Sequence, residues 1–445
     1  MGRYFGTDGV RGRVGEAPMT VDFAVRLAST AGRVLTPNGG SVLVGKDPRI
    51  SGYMFEAALE AGFIAAGVDV KLLQVMPTPA IAFLGRVLGA DLGVVISASH
   101  NHYEDNGIKF FDRTGSKLSD ELEARIEQAL EGPVLTNHSS RLGRAERRYD
   151  AEDRYHTFCR QTVPAEVKLG GLRIVVDCAN GATYKVAPRV FSDLGAEVIS
   201  IGCSPNGRNI NDGCGSTAPA LLQRSVTALG AQLGIAFDGD GDRVAMVDEK
   251  GQLVDGDDLL YIIAMQRKAE RQLHGPVVGT LMSNLGLELA LKAQGVAFER
   301  AAVGDRYVLA RLQERSGVLG GETSGHVICL DRTTTGDGIV SALQVLATMH
   351  ATGKSLAELR AGLEKYPQVM INVRVARKFD PFSSEQVKAA VRDVERALGD
   401  RGRVVLRPSG TEPLIRVMVE GEDEGVVRTH AERLAQAVNG AAPSG

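Results

Sequence analysis

The strongest constraint on this chain is a run of apolar and small residues, Leu92 to Ile96, that passes directly into Ser97-Ala98-Ser99-His100-Asn101. The run has the length and β-branched content of a buried strand and is too short to be read as a helix. The polar stretch behind it is a loop at a strand end, where a rigid scaffold can present chemistry. The same arrangement recurs. Leu172 to Val176 ends in Asp177-Cys178-Ala179-Asn180-Gly181-Ala182, Leu233 to Phe237 ends in Asp238-Gly239-Asp240-Gly241-Asp242-Arg243, and Val277 to Leu281 ends in Met282-Ser283-Asn284. Helical periodicity fills the intervals: Val21 to Leu35, Tyr53 to Gly67, Pro79 to Leu88, Asp120 to Leu130 and Ala151 to Thr162. Strand and helix in alternation predict layered α/β modules with largely parallel sheets.

A chain of 445 residues exceeds what one hydrophobic core supports. Glu131 to Arg148 is polar and reads as irregular, so the first domain is expected over residues 1–150, followed by similar α/β domains over 151–252 and 253–367. The tail changes style near Tyr366-Pro367. Strands at Val369 to Val375, Val404 to Arg407 and Ile415 to Glu420, with helices at Ser383 to Leu398 and Glu424 to Val438, predict a small α+β domain over 368–445.

Charge excludes some partners. With 51 basic and 54 acidic residues there is no global pull toward nucleic acid or an anionic membrane, and any anion site must be local. Five cysteines without a C-x-x-C pair argue for a reducing compartment and against structural zinc. The opening MGRYFGTDGV lacks a signal core, and no apolar stretch reaches transmembrane length, so a soluble cytoplasmic protein is expected, a monomer or homodimer.

Ser99 is a candidate nucleophile or phosphoryl carrier, with His100 and Lys109 as nearby donors, and Asn106-Gly107 is expected to turn the chain so that Lys109 folds back toward the serine. Asp238, Asp240 and Asp242 form the second signal. Carboxylates at i, i+2 and i+4, with glycines between, can converge on one hard cation such as magnesium or calcium. An EF-hand is excluded because Arg243 occupies the position that needs glycine, and the flanks are strands. Arg243 would stand beside the cation, or pair with its own aspartates.

Arg407-Pro408-Ser409-Gly410-Thr411 combines arginine, hydroxyls and main-chain N–H groups in a compact anion pocket; a plain hairpin loop is the alternative. Glu322-Thr323-Ser324-Gly325-His326 could grip sugar hydroxyls or simply turn before the strand Val327 to Leu330, and Arg11 in Thr7-Asp8-Gly9-Val10-Arg11-Gly12 could face an anion or cap a strand. Gly40 to Lys46 imitates the start of a P-loop, but Asp47 stands where a hydroxyl is required and the interior is strand-like. G-x-S-x-G, H-E-x-x-H and Rossmann fingerprints are absent, which disfavours a serine hydrolase, a zinc protease and a dehydrogenase.

Taken in order, SASHN, DGDGDR, GETSGH and RPSGTEP resemble the loops of the α-D-phosphohexomutase superfamily. The opening YFGTDGVRG, the run through YEDNGIKFF, and Val303 to Val308 are most similar to its bacterial phosphohexosamine mutases. The resemblance implies four domains around a central cleft and a phosphosugar substrate. It implies a phosphoserine at Ser99 holding Mg²⁺ together with Asp238, Asp240 and Asp242. Lys109 and Arg11 would flank the transfer site, with Lys109 the preferred base and His326 its competitor, and His100 would support the serine loop. Glu322 and Ser324 would bind sugar hydroxyls, Arg243 the substrate, and Arg407, Ser409, Gly410 and Thr411 the phosphate that does not react. The reaction implied is glucosamine 6-phosphate to glucosamine 1-phosphate through a 1,6-bisphosphate, in the supply of cell-wall precursors. Mannose or glucose phosphate is the rival substrate, and a magnesium-dependent phosphatase the rival class. In place of the proline usual after Ser-His-Asn this chain has His102, which predicts a looser loop.

Overall fold

A computed structural model describes residues 2–6, 8–377, 379–408 and 413–442. It divides into two compact units, Met1–Thr280 with Ala301–Arg360, and Leu281–Arg300 with Ala361–Gly445.

In the first unit, the strand Leu92–Ile96 is wholly buried. It is flanked on one side by the parallel strand Gly40–Lys46 and on the other by the antiparallel strand Asp105–Asp112. Val10–Arg13 extends this sheet beyond Asp105–Asp112, and Val68–Val75 and then Ala145–Arg147 extend it beyond Gly40–Lys46, giving six strands in a mixed, largely parallel order. The helix Val21–Leu35 packs Phe23, Ala24, Leu27, Ala28 and Ala31 inward at three- and four-residue spacing, joining the strand core of Val42, Val44, Val70, Val94 and Ile96.

A second sheet repeats the plan. Its buried central strand Leu233–Phe237 lies parallel to Arg173–Asp177 and antiparallel to Val244–Asp248, with Glu197–Ile201 and Leu253–Val254 at the edges. Both central strands therefore have a parallel neighbour on one side and an immediate antiparallel return on the other. The loop after each is held at both ends by a sheet. A third group pairs Val277–Thr280 in parallel with Leu319–Gly321, which pairs antiparallel with Val327–Cys329. The helix Gly256–Ala269 starts at a reciprocal cap in which Asp255 accepts from Asp258 N and Asp258 from Asp255 N.

The second unit holds an antiparallel sheet, Gln368–Arg374, Leu414–Gly421 and Gly402–Pro408, covered by Glu385–Leu398 and Glu424–Ala441. Ser384 caps the first of these helices at Val387 N, and Val387, Ala390, Val391 and Val394 form its buried stripe. Among the described residues no helix is long and apolar enough to cross a membrane.

Two expectations are corrected. Ala145–Arg147 is a short exposed edge strand inside the segment read as irregular. Asn106-Gly107 is not a turn: both residues lie inside the strand Asp105–Asp112, where Asn106 is buried and its side-chain amide donates to Ser51 Oγ at 2.8 Å. The reversal occurs earlier, between Ser99 and Glu104, and the register that places Lys109 opposite Val95 carries it toward the serine loop.

Candidate active site

The serine loop and the aspartate loop leave the carboxyl ends of the two central strands and meet. Ser99 Oγ donates to Asp238 Oδ2 at 2.6 Å, and His100 Nδ1 lies 3.4 Å from the same hydroxyl. Gly239 permits the approach, since a Cβ there would stand 2.5 Å from Ser99 O. Gly241, at φ +75°, curls the chain so that the three carboxylates converge on one point.

Ser99 itself is in the left-handed region, φ +51°, a conformation costing a non-glycine residue on the order of 1 kcal/mol. Its neighbours hold it there. Ser99 N donates to Ser97 Oγ at 2.9 Å, and Ser97 Oγ donates to Asp47 at 2.5 Å. The fully buried Arg49 donates to the carbonyls of Ser99 (2.9 Å), Asn101 (2.8 Å) and His102 (2.5 Å), while its Nε is bound by Asp47 at 2.9 Å. Asn211, from the second sheet's loops, donates to the carbonyls of Ser99 and Asn101, both at 2.9 Å. These bonds tie down the carbonyls of the loop that carries Ser99, that of His102 included. Arg49→Lys keeps the charge but cannot span three carbonyls, so turnover is expected to fall about 100-fold with KM little changed. Steady-state kinetics beside circular dichroism would check it.

Around the aspartates lies a network of alternating charge, buried at Lys109 and His326 and half-buried at its rim. Lys109 Nζ is 2.8 Å from Asp240, 3.0 Å from Asp8 and 3.8 Å from Asp242. Thr78 Oγ1 donates to Asp240 at 2.6 Å, Arg11 pairs with Asp8, and Lys117 bridges Asp8 and Asp305, at 2.5 Å each. His326 stands 3.7 Å from Asp242 and 3.6 Å from Asp305. Burial, with Asp242 and Asp240 adding to it, pushes the Asp238 carboxyl well up. Burial would also raise Asp242, but Lys109 and His326 carry it the other way. Desolvation pulls His326 down and is outweighed by Asp242 and Asp305, which lift it to about 9; His100, half-buried near Arg243 and Arg11, falls to about 4. Lys109 is likewise raised, because Asp240, Asp8 and Asp242 outweigh its burial. The carboxylates around Lys109 thus favour its charged form.

The three aspartates fit a divalent cation. One oxygen from each lies within 4.8 Å of the others, and all three residues are buried. Across a magnesium ion, opposed ligands at about 2.1 Å stand roughly 4.2 Å apart, so small rotations close the site. Asp240 Oδ1 and Asp242 Oδ1 are buried with no hydrogen-bond partner among the described residues, which leaves them available as ligands.

The remaining expected residues are less closely gathered. Arg243 lies beside Asp242, Nε to Oδ1 4.0 Å. Glu322 to His326 is the turn between two short strands, where Glu322 accepts from Gly304 N at 3.0 Å and Ser324 is exposed. Arg407 lies on the strand Gly402–Pro408 opposite Arg416, within the second unit. Ser409, Gly410 and Thr411 lie outside the described residues.

This fold and site define the phosphohexomutase class, in which a serine loop and an aspartate loop meet at the ends of two α/β sheets. The chain belongs to the phosphoglucomutase/phosphomannomutase family. Its alpha/beta/alpha domains I, II and III match residues 2–134, 153–251 and 255–366, and its C-terminal domain matches 370–437. The chain is 60% identical to a phosphoglucosamine mutase of Nitrosococcus oceani over 98% of this chain and 97% of that one. It is 59% identical to that of Thioalkalivibrio sulfidiphilus over 99% and 98%. Among solved structures it is similar to a phosphoglucomutase/phosphomannomutase family protein of Burkholderia thailandensis, with TM-score 0.82 and 25% identity over 98% and 97% of the chains. The N-acetylphosphoglucosamine mutase of Aspergillus fumigatus, solved with GlcNAc-6P and magnesium, shares the fold at TM-score 0.71 and 18% identity, over 99% and 96%.

Proposed function

We propose that the chain is a phosphoglucosamine mutase, interconverting glucosamine 6-phosphate and glucosamine 1-phosphate through a phosphorylated Ser99. The observation that carries the chemistry is the Ser99 hydroxyl 2.6 Å from Asp238, at the edge of a buried cluster of carboxylates and cations. The amino-sugar substrate is supported by phosphoglucosamine mutases 56–60% identical over nearly the whole chain.

In the forward direction phospho-Ser99 gives its phosphoryl group to O1 of the sugar, whose proton is released, and a 1,6-bisphosphate forms. The bisphosphate reverses, and Ser99 Oγ takes the phosphoryl group back from O6, which regains a proton. Asp238, Asp240 and Asp242 would hold Mg²⁺, which when bound supplies positive charge to the transferring group. Lys109, Arg11 and Arg243 would add fixed charge to the phosphoryl oxygens from a buried site, where such charge counts most. His326 would donate as an imidazolium, and neutral His100 would steer the Ser99 hydroxyl. Arg49 and Asn211 keep Oγ aimed. Glu322 and Ser324 are assigned the sugar hydroxyls, and Arg407 with Ser409, Gly410 and Thr411 the non-reacting phosphate. The boundaries proposed for the four domains are 1–150, 151–252, 253–367 and 368–445.

Purified protein supplied with Mg²⁺ and a trace of hexose 1,6-bisphosphate should turn over glucosamine 6-phosphate with a higher kcat/KM than mannose or glucose 6-phosphate, releasing no inorganic phosphate. A neutral-hexose preference would overturn the substrate and keep the mechanism. Stoichiometric phosphate release would replace the mutase with a phosphatase.

A further inference from the structure

Two cysteines that phosphoryl transfer does not use stand together behind the site. Cys178 follows Asp177 at the end of the strand Arg173–Asp177, and Cys203 lies two residues past Ile201 at the end of its parallel neighbour, where Asp177 and Ile201 are in register. Cys178 N donates to Ile201 O at 3.1 Å and Cys203 Sγ donates to the same oxygen at 3.3 Å, so one carbonyl gathers the main chain of Cys178 and the thiol of Cys203. Cys178 is buried, while Cys203 is partly open.

Their surroundings divide the labour. The neighbouring Cys178 holds the Cys203 thiol below its ordinary range against the effect of burial, whereas burial pushes the Cys178 thiol far up. Cys203 is thus the reachable, thiolate-prone sulfur, and Cys178 the partner that can resolve its oxidised form.

The segment between them leads to the serine. Ala179 and Asn180 are both left-handed, at φ +54° and +47°, and Asn180 N donates to Gly202 O at 2.6 Å. Ala179 O accepts from Asn211 N at 2.9 Å, and the Asn211 side chain holds the carbonyls of Ser99 and Asn101. Joining the two sulfurs covalently ties the two strand ends together and so draws on the segment that carries Ala179.

We propose that Cys203 and Cys178 are a peroxide-responsive dithiol whose disulfide displaces Asn211 and so turns down the serine loop. The Cys203 thiolate attacks hydrogen peroxide, breaking the O–O bond to give a sulfenic acid and hydroxide. Cys178 sulfur then displaces hydroxide from the sulfenic sulfur, its own proton leaving with that oxygen as water. The sum is two thiols and one peroxide to one disulfide and two waters, and a dithiol reductant reverses it.

The test treats the whole protein with limiting hydrogen peroxide, alkylates free thiols, and maps unreduced peptides by mass. The expected result is a Cys178–Cys203 link lighter by two hydrogens, with phosphosugar turnover down on the order of 10-fold or more and restored by dithiothreitol. Cys203→Ser and Cys178→Ala should each lose the link and resist the inhibition. Three outcomes overturn the proposal: Cys203 passing to sulfinic acid without the link, the link forming with turnover unchanged, or inhibition persisting in Cys203→Ser. The peptide link is read without reference to substrate, so its absence is distinguishable from an error in the assigned activity.

Discussion

Ser99→Ala is expected to lower mutase turnover by at least about 10⁴-fold while the protein stays folded. The asymmetry follows from the two roles of the residue. As a structural group, Ser99 contributes one buried hydrogen bond to Asp238, whose loss costs about 1 kcal/mol. Alanine tolerates φ +51° no worse than serine, and the carbonyl that Arg49 and Asn211 hold is unchanged. In its proposed role as phosphoryl carrier it has no substitute among the described residues: no other hydroxyl there hydrogen-bonds Asp238, and Thr78, the hydroxyl on Asp240, already donates there. Exposure to a ³²P-labelled hexose 1,6-bisphosphate should label the natural protein and leave Ser99→Ala unlabelled. A variant that turned over normally, or still took up label, would sink the phosphoserine reading. Ser97→Ala is the useful companion, since Ser97 Oγ only links Ser99 N to Asp47; it should label slowly and still label.

Much of this arrangement could be read from residues in a row. Leu92 to Ile96 and Leu233 to Phe237 are continuous apolar runs because each strand is covered on both faces, and the loops that follow sit where their sequence places them. The DGDGD spacing points to a candidate cation site because its glycines and carboxylates are neighbours in the chain. What escaped was of a different kind. Arg49 and Asn211 act on main-chain carbonyls, and a carbonyl leaves no trace of its partner in sequence. Asp47 served to reject a P-loop, yet it is the anchor of Arg49 and Ser97. Ala145–Arg147 is an exposed edge strand of three residues without an apolar face, so no periodicity marks it. Asn106-Gly107 looked like a turn because that dipeptide favours one. In the fold, the pairing of Asp105–Asp112 on both sides outweighs the local preference. The charge on Lys109 is also hidden from the sequence, since the carboxylates that raise it include Asp8, remote in sequence, as well as Asp240 and Asp242.

Lys109→Met separates that electrostatic role from a proton-transfer role. Methionine fills a similar volume, so what is lost is a buried positive charge that touches three carboxylates. Removing one partner from a buried ionic cluster costs about 3–5 kcal/mol, because the charges left behind stay desolvated. The variant should therefore unfold at a lower temperature in chelator, and Mg²⁺ should restore more stability to it than to the natural protein, since a cation among Asp238, Asp240 and Asp242 neutralises part of what the lysine did. Turnover should remain about 10²- to 10⁴-fold down even with saturating Mg²⁺, because a metal ion does not replace a donor directed at the transferring phosphoryl group. Thermal denaturation with and without Mg²⁺, beside single-turnover transfer from phospho-Ser99, measures the two effects separately. Restoration of both stability and turnover by Mg²⁺ would reduce Lys109 to a charge balance for the aspartates. Normal stability in chelator would mean that the carboxylates do not depend on Lys109 for compensation, and the buried network would have to be redrawn around Arg11 and His326.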